Sequence, residues 1–171
     1  MKAEQRVVAI GAASGVAAMA GGIWLLERLL PVPAIADSAG ERLAYGLRAN
    51  VLAVVPLFAM LAAIGNSRFA SAAIDPTRGA ESPAMVIDGR VADNTLQQGF
   101  VFAVASLALS TLVPLAHLRV VWACAIVFAV ARVAFWIGYR IDPLYRAPGF
   151  SATAYMNVGM IAYSLYRICA G

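Results

Sequence analysis

Charge is what this chain lacks most. Only 13% of its 171 residues are charged and 62% are hydrophobic, and the mean hydropathy of +0.79 lies outside the range of a water-soluble globular domain. Histidine occurs once, at His117, and cysteine twice, at Cys124 and Cys169, each cysteine inside an apolar stretch. With no short Cys or His spacing, neither a metal knuckle nor a redox pair is expected, and the thiols read as packed or lipid-facing groups. The formal charge of +4 comes from scattered basic residues with no lysine-rich run, which argues against nucleic acid as a partner. Internal repeats and low-complexity tracts are absent as well.

Long uncharged runs fill the space that charge leaves. About 20 apolar residues in a helix span the roughly 30 Å hydrocarbon core of a bilayer. The first run, residues 7–26, closes with Glu27 and Arg28 and predicts a membrane helix. Lys2 and Arg6 ahead of it and Ala34, Ile35 and Ala36 behind it also match a secretory signal, but the run is long for a signal core, and a retained helix is the expectation. A second helix lies between Arg48 and Arg68, with Pro56 as an expected kink. Residues 70–93 hold Asp75, Arg78, Glu81, Asp88, Arg90 and Asp93 and are expected to form a loop. Helices are then predicted over residues 94–118, 120–139 and 150–166, the first two antiparallel because their connection at His117 and Arg119 is so short. Every Asp and Glu falls at or beyond a predicted helix end, so no membrane-buried carboxylate is expected for ion-coupled transport. Basic residues are more numerous on the side of Lys2, Arg68, Arg90 and Arg146 than on that of Arg28, Arg48 and Arg119, which makes the former side cytoplasmic by the positive-inside rule.

Alternation of helix direction brings Arg68, Arg90, Asn94, Tyr139 and Arg146 to one membrane face. Arg90, Asn94 and Gln97 fall at i, i+4 and i+7 and share one side of the third helix. The predicted start of that helix would add free backbone donors and a partial positive charge beside Arg90, a seat for an anion. On the fourth helix Arg132 and Tyr139 share a face, with Trp136 between them. An arginine two turns inside a span should turn into the bundle and meet a polar partner, either to tie helices together or to face a ligand. His117, at the opposite face, reads as an interfacial residue without a metal role.

The run Arg90, Asp93, Asn94, Gln97 and Gln98 before an apolar helix, then Arg132 to Tyr139, then Arg146, resembles the signature of the MAPEG superfamily, the membrane-associated proteins in eicosanoid and glutathione metabolism. The second helix, ending in Gly65, Asn66, Ser67 and Arg68, is similar to that family's first helix and its terminal basic residue. The resemblance covers about residues 42–170. It implies an all-α integral membrane fold in which residues 41–171 form a four-helix domain and residues 1–40 add a fifth, N-terminal transmembrane helix. It further implies a bacterial-type member in the inner membrane, forming a homotrimer within the bilayer lipids with glutathione sites between protomers, open to the cytoplasmic side. The implied activity is a glutathione transferase or peroxidase acting on lipophilic electrophiles without a metal. By the same resemblance Arg146 stabilises the glutathione thiolate, Arg68 is a second catalytic candidate, and Arg90, Asn94, Gln97, Arg132 and Tyr139 hold the tripeptide. Two departures bear on this: Gln97 stands where many relatives carry glutamate, and Ala147 after Arg146 offers no hydroxyl. They leave as an alternative a non-catalytic membrane protein that binds a lipid or a partner protein.

Overall fold

The computed structural model describes residues 2–170. Among the described residues it contains five long helices and no strand: α1 (Ala3–Leu29), α2 (Ala39–Phe69), α3 (Pro83–Leu112), α4 (Val120–Ile141) and α5 (Ala147–Ala170). Ala3–Leu29, Ala39–Phe69, Pro83–Leu112 and Leu115–Ile141 are long and apolar enough to cross a membrane. At 24 residues, α5 is about 36 Å long, but it carries Ser151, Thr153, Asn157 and Ser164 on its buried side. Exposure is inverted relative to a water-soluble protein: Phe58 is 72% and Phe100 71% exposed, whereas Arg132 and Ser106 are fully buried. Lipid tails, not water, suit such a surface.

Two helix starts differ from the sequence expectation, for one reason. The second helix begins at Ala39 rather than near Arg48, because Ser38 Oγ accepts from the Glu41 backbone N–H at 3.3 Å and caps it. The third begins at Pro83 rather than Asn94, where Ser82 Oγ accepts from Met85 N at 3.3 Å and Pro83 fills the first turn. Charged residues there do not mark a loop; they ride on helices that continue beyond the hydrocarbon core. Asp88, Arg90 and Asp93 are therefore helical, and the expected loop shrinks to the connection between α2 and α3. This also corrects the reading that every acidic residue lies at or beyond a helix end. The fifth helix likewise starts at Ala147, ahead of the expected residue 150.

At the membrane face opposite Arg146, arginines cap neighbouring helices. Arg42 is buried and donates through Nη1 to Ser110 O (3.2 Å) and Val113 O (2.6 Å), while its Nε pairs with Asp37 at 2.5 Å. Arg119 Nη1 donates to Leu30 O at 3.2 Å. These bonds satisfy carbonyls that the ends of α3 and α1 leave without partners. His117 pairs with Glu27 at 2.6 Å, joining the turn before α4 to the end of α1.

The helices pack as a bundle in which α1 lies against α5 and α4, and α2 against α3 and α4. A central apolar cluster is built on the Phe102 and Phe128 rings, 4.5 Å apart. A second, with Met60, Ile64, Val91 and Phe135, lies towards the end that carries Tyr139. Close approach of α1 to α5 depends on Gly15, where a Cβ would overlap the Pro148 carbonyl. Ser151 Oγ, 3.0 Å from Ala12 O, adds a hydrogen bond across the same seam.

Candidate functional site

A cavity of about 580 Å³ opens among α1, α3, α4 and α5. Arg90 and Asn94 come from α3, Phe135 and Tyr139 from α4, Arg146 from the short turn between α4 and α5, and Phe150, Ser151 and Tyr155 from α5. Val8 and Ala12 of α1 close one side. The turn Pro143–Arg146 folds back on α4 because Gly138 presents no side chain to Tyr145 O, which a Cβ would strike. Asp142 Oδ1 caps the turn by accepting from Leu144 N at 2.7 Å. Arg146 thereby lines the cavity from its exposed rim: its Nη1 donates to Pro143 O at 2.9 Å and its guanidinium carbon lies 5.4 Å from the Tyr139 ring centroid.

Among the described residues the lining includes two guanidinium groups and no carboxylate. Such a concave site concentrates positive potential and favours an anion. Its volume falls within the roughly 300–1,000 Å³ usual for small-molecule sites.

Behind the cavity wall, Arg132 is fully buried. It donates to Thr95 Oγ1 through Nε (3.1 Å) and Nη2 (2.9 Å), to Thr153 Oγ1 through Nη1 (3.1 Å) and to Asn94 Oδ1 through Nη2 (3.0 Å). The Phe135 ring centroid is 4.1 Å from its guanidinium carbon. One side chain thus joins α3, α4 and α5 and fixes the carboxamide of Asn94, as expected of an arginine inside a span. Nearer the helix ends, Asp88 is 1% exposed and accepts from Trp136 Nε1 (2.7 Å), Arg140 Nε (2.8 Å) and Arg140 Nη2 (2.5 Å). This cluster clamps α3 to α4 beside Arg90.

Arg90, Asn94, Tyr139 and Arg146 therefore meet in one cavity, and Arg132 supports one of them from behind. Gln97 is exposed and lines no part of that cavity. Arg68 lies outside it too and pairs with Glu81 of the α2–α3 connection. The anion seat expected at a helix start beside Arg90 is not formed: α3 starts at Pro83, about two turns earlier, with Ser82 as its cap. Asp88 is not evident as a site residue from sequence, because a charged stretch between apolar runs reads as a loop; the Ser82–Pro83 pair is the signal that places it on α3. Val8, Ala12 and Ser151 are not evident either, since their places depend on how α1 docks.

Among curated proteins and among solved structures, no significant match is found. The model of the MAPEG family matches residues 46–166, a stretch that includes every cavity residue outside α1. By this match and by its bundle of long apolar helices, the chain belongs to the MAPEG family and is an all-α integral membrane protein with one further helix ahead of the matched region.

Proposed function

We propose that this protein is a membrane-bound glutathione-dependent transferase or peroxidase acting on lipophilic electrophiles. Its site faces the cytoplasm of a bacterial inner membrane and is shared between protomers of a homotrimer. The observation that carries this reading is the placement of Arg90 and Arg146 in one cavity that, among the described residues, no carboxylate lines. A free thiol with a pKa of about 8.5 is only slightly ionised at neutral pH, and a cation close by lowers such a value by about 1 to 3 units. Arg146 takes that role, since among the described residues its guanidinium is held by the Pro143 carbonyl and the Tyr139 face and pairs with no carboxylate. Arg90, Asn94 and Tyr139 hold the tripeptide, and Arg132 acts through Asn94. Glutathione supplies a thiolate that attacks an electrophile or reduces a hydroperoxide. Arg68 and Gln97 join the site only from a neighbouring protomer.

The donor set suits the carboxylates and sulfur of glutathione better than its ammonium group. Among the described residues no carboxylate lines the cavity, and Asn94 Oδ1 already accepts from Arg132. A hydrogen bond with one charged partner contributes about 1.5–3 kcal/mol against about 1 for a neutral pair, so affinity should be modest.

Conjugation of a small aryl halide by the purified protein tests the reading. Arg146→Ala should lower kcat/KM by about 100-fold, the scale of removing one group that stabilises developing negative charge. Full activity in that variant would remove Arg146 from the thiolate role. Calorimetry that detects no glutathione binding at millimolar concentration would overturn the whole reading.

A further inference from the structure

We propose that the hydrocarbon tail of a long-chain amphiphile lies in a crevice that α1 builds against α5, continuing from the polar cavity towards the opposite membrane face. The crevice holds about 560 Å³ and is apolar, with Met19 and Ile23 from α1, Leu109 from α3 and Met156 and Met160 from α5. Tyr155 lines both this crevice and the polar cavity, so the two adjoin along α5. The polar cavity runs from Ala147 to Tyr155 and the crevice from Tyr155 to Tyr163, each about 12 Å along the helix axis. Together they cover most of a hydrocarbon core of roughly 30 Å.

The chemistry changes along that path in the order an amphiphile requires. Guanidinium groups stand at one end, and thioether and aliphatic groups follow. The Glu27–His117 pair then marks the return to a polar boundary. Methionines adapt to a flexible chain better than branched side chains do. Gly159 also lines the crevice, and a Cβ there would meet nothing within 4 Å. A glycine in mid-helix disfavours the helix, yet here it keeps open a space that a larger side chain would fill. The α1 wall lies outside the region matched by the family, so this tail site is formed within one protomer by the additional helix. That the reactive end of the amphiphile sits in the polar cavity rests on the glutathione reading; the tail site itself does not.

The test uses the full chain in phospholipid nanodiscs with a diazirine-bearing decanoate, irradiated and mapped by peptide mass spectrometry. Adducts are expected on Met19, Met156 or Met160. They should be lost in Gly159→Phe and in the smaller Gly159→Leu, and kept in Gly21→Leu, whose new side chain enters open space on α1. Adducts on outward-facing residues such as Phe58 or Phe100 instead, or crevice adducts that survive both Gly159 variants, would overturn the proposal. The adduct positions in the unsubstituted protein decide the matter even where a variant fails to fold. A second readout is addition of glutathione to alkenals, in which sulfur bonds to the β-carbon and a solvent proton to the α-carbon. Gly159→Leu should lower kcat/KM for nonenal about tenfold and leave the short crotonaldehyde within about twofold, since only the former has a tail to lose. If labelling follows the expected pattern and neither aldehyde is conjugated by any form of the protein, the glutathione reading fails and the tail site stands.

Discussion

Arg132 has no exposed surface, and its partners are hydroxyl and carboxamide oxygens, not a carboxylate. A buried cation costs less when its donors are satisfied, and here the planar fork reaches Thr95, Thr153 and Asn94 at once. Lysine cannot reproduce that fork. Arg132→Lys should therefore release the Asn94 carboxamide, raising KM for glutathione about fivefold while kcat stays within about twofold, the pattern of lost binding rather than lost chemistry. A purely structural role would lower the apparent kcat through loss of folded protein and leave KM unchanged, so a KM effect in correctly folded material is diagnostic. Arg132→Met, which strands the three polar partners, should cost about 2–4 kcal/mol of stability, a sum of interhelical hydrogen bonds and imperfect packing. An unfolding midpoint in detergent unchanged from that of the parent protein would show that this network contributes nothing to holding the bundle.

Between helices, the seam of α1 on α5 depends on small residues where Gly15 meets Pro148. Gly15→Leu should force the two apart and cost about 1–3 kcal/mol, the range for overpacking, whereas Gly21→Leu on the open side should be neutral or slightly stabilising because it improves helix propensity. Equal effects of the two in a thermal unfolding series would show that the seam is not tightly packed. The existence of these helices was legible because uncharged runs of membrane length have few other uses. Their starts were not, because charges such as Arg48, Asp88 and Arg90 mark the end of an apolar run but not the end of a helix, and α2 and α3 extend well past that run. The caps Ser38 with Glu41 and Ser82 with Pro83 were visible in the sequence and would have placed those starts. Helix direction brings Arg68, Arg90, Asn94, Tyr139 and Arg146 to one membrane face but does not settle which of them share a cavity: Arg68 stays outside it, paired with Glu81. The contributions of Val8, Ala12 and Ser151 depended on the rotation of α1 about its axis, which an apolar run with no polar stripe does not specify.

For the whole molecule, the question is which protomer supplies which arginine. Arg146 lines the cavity of its own protomer, whereas Arg68 sits outside it, paired with Glu81. If both serve one site, as the proposed homotrimer allows, Arg68 must come from a neighbour across a head-to-tail interface that closes into a ring. Complementation then separates the arrangements. Assemblies of Arg68→Ala protomers alone, or of Arg146→Ala protomers alone, lack a complete site. In a random one-to-one mixture, each site draws an intact Arg146 half the time and an intact neighbouring Arg68 half the time, so about a quarter of sites regain both. Co-expression with two affinity tags, followed by purification of doubly tagged assemblies, discards the homotrimers and raises the expected recovery to about a third of sites, which an aryl halide assay would measure. Were Arg68 and Arg146 required from the same protomer, every mixed site would carry one defect or the other, and activity would stay at the level of the single variants. Recovery would place the thiolate site at the seam between protomers and give the half-buried Arg68 a catalytic partner; its absence would leave Arg68 as an anchor for the α2–α3 connection through Glu81.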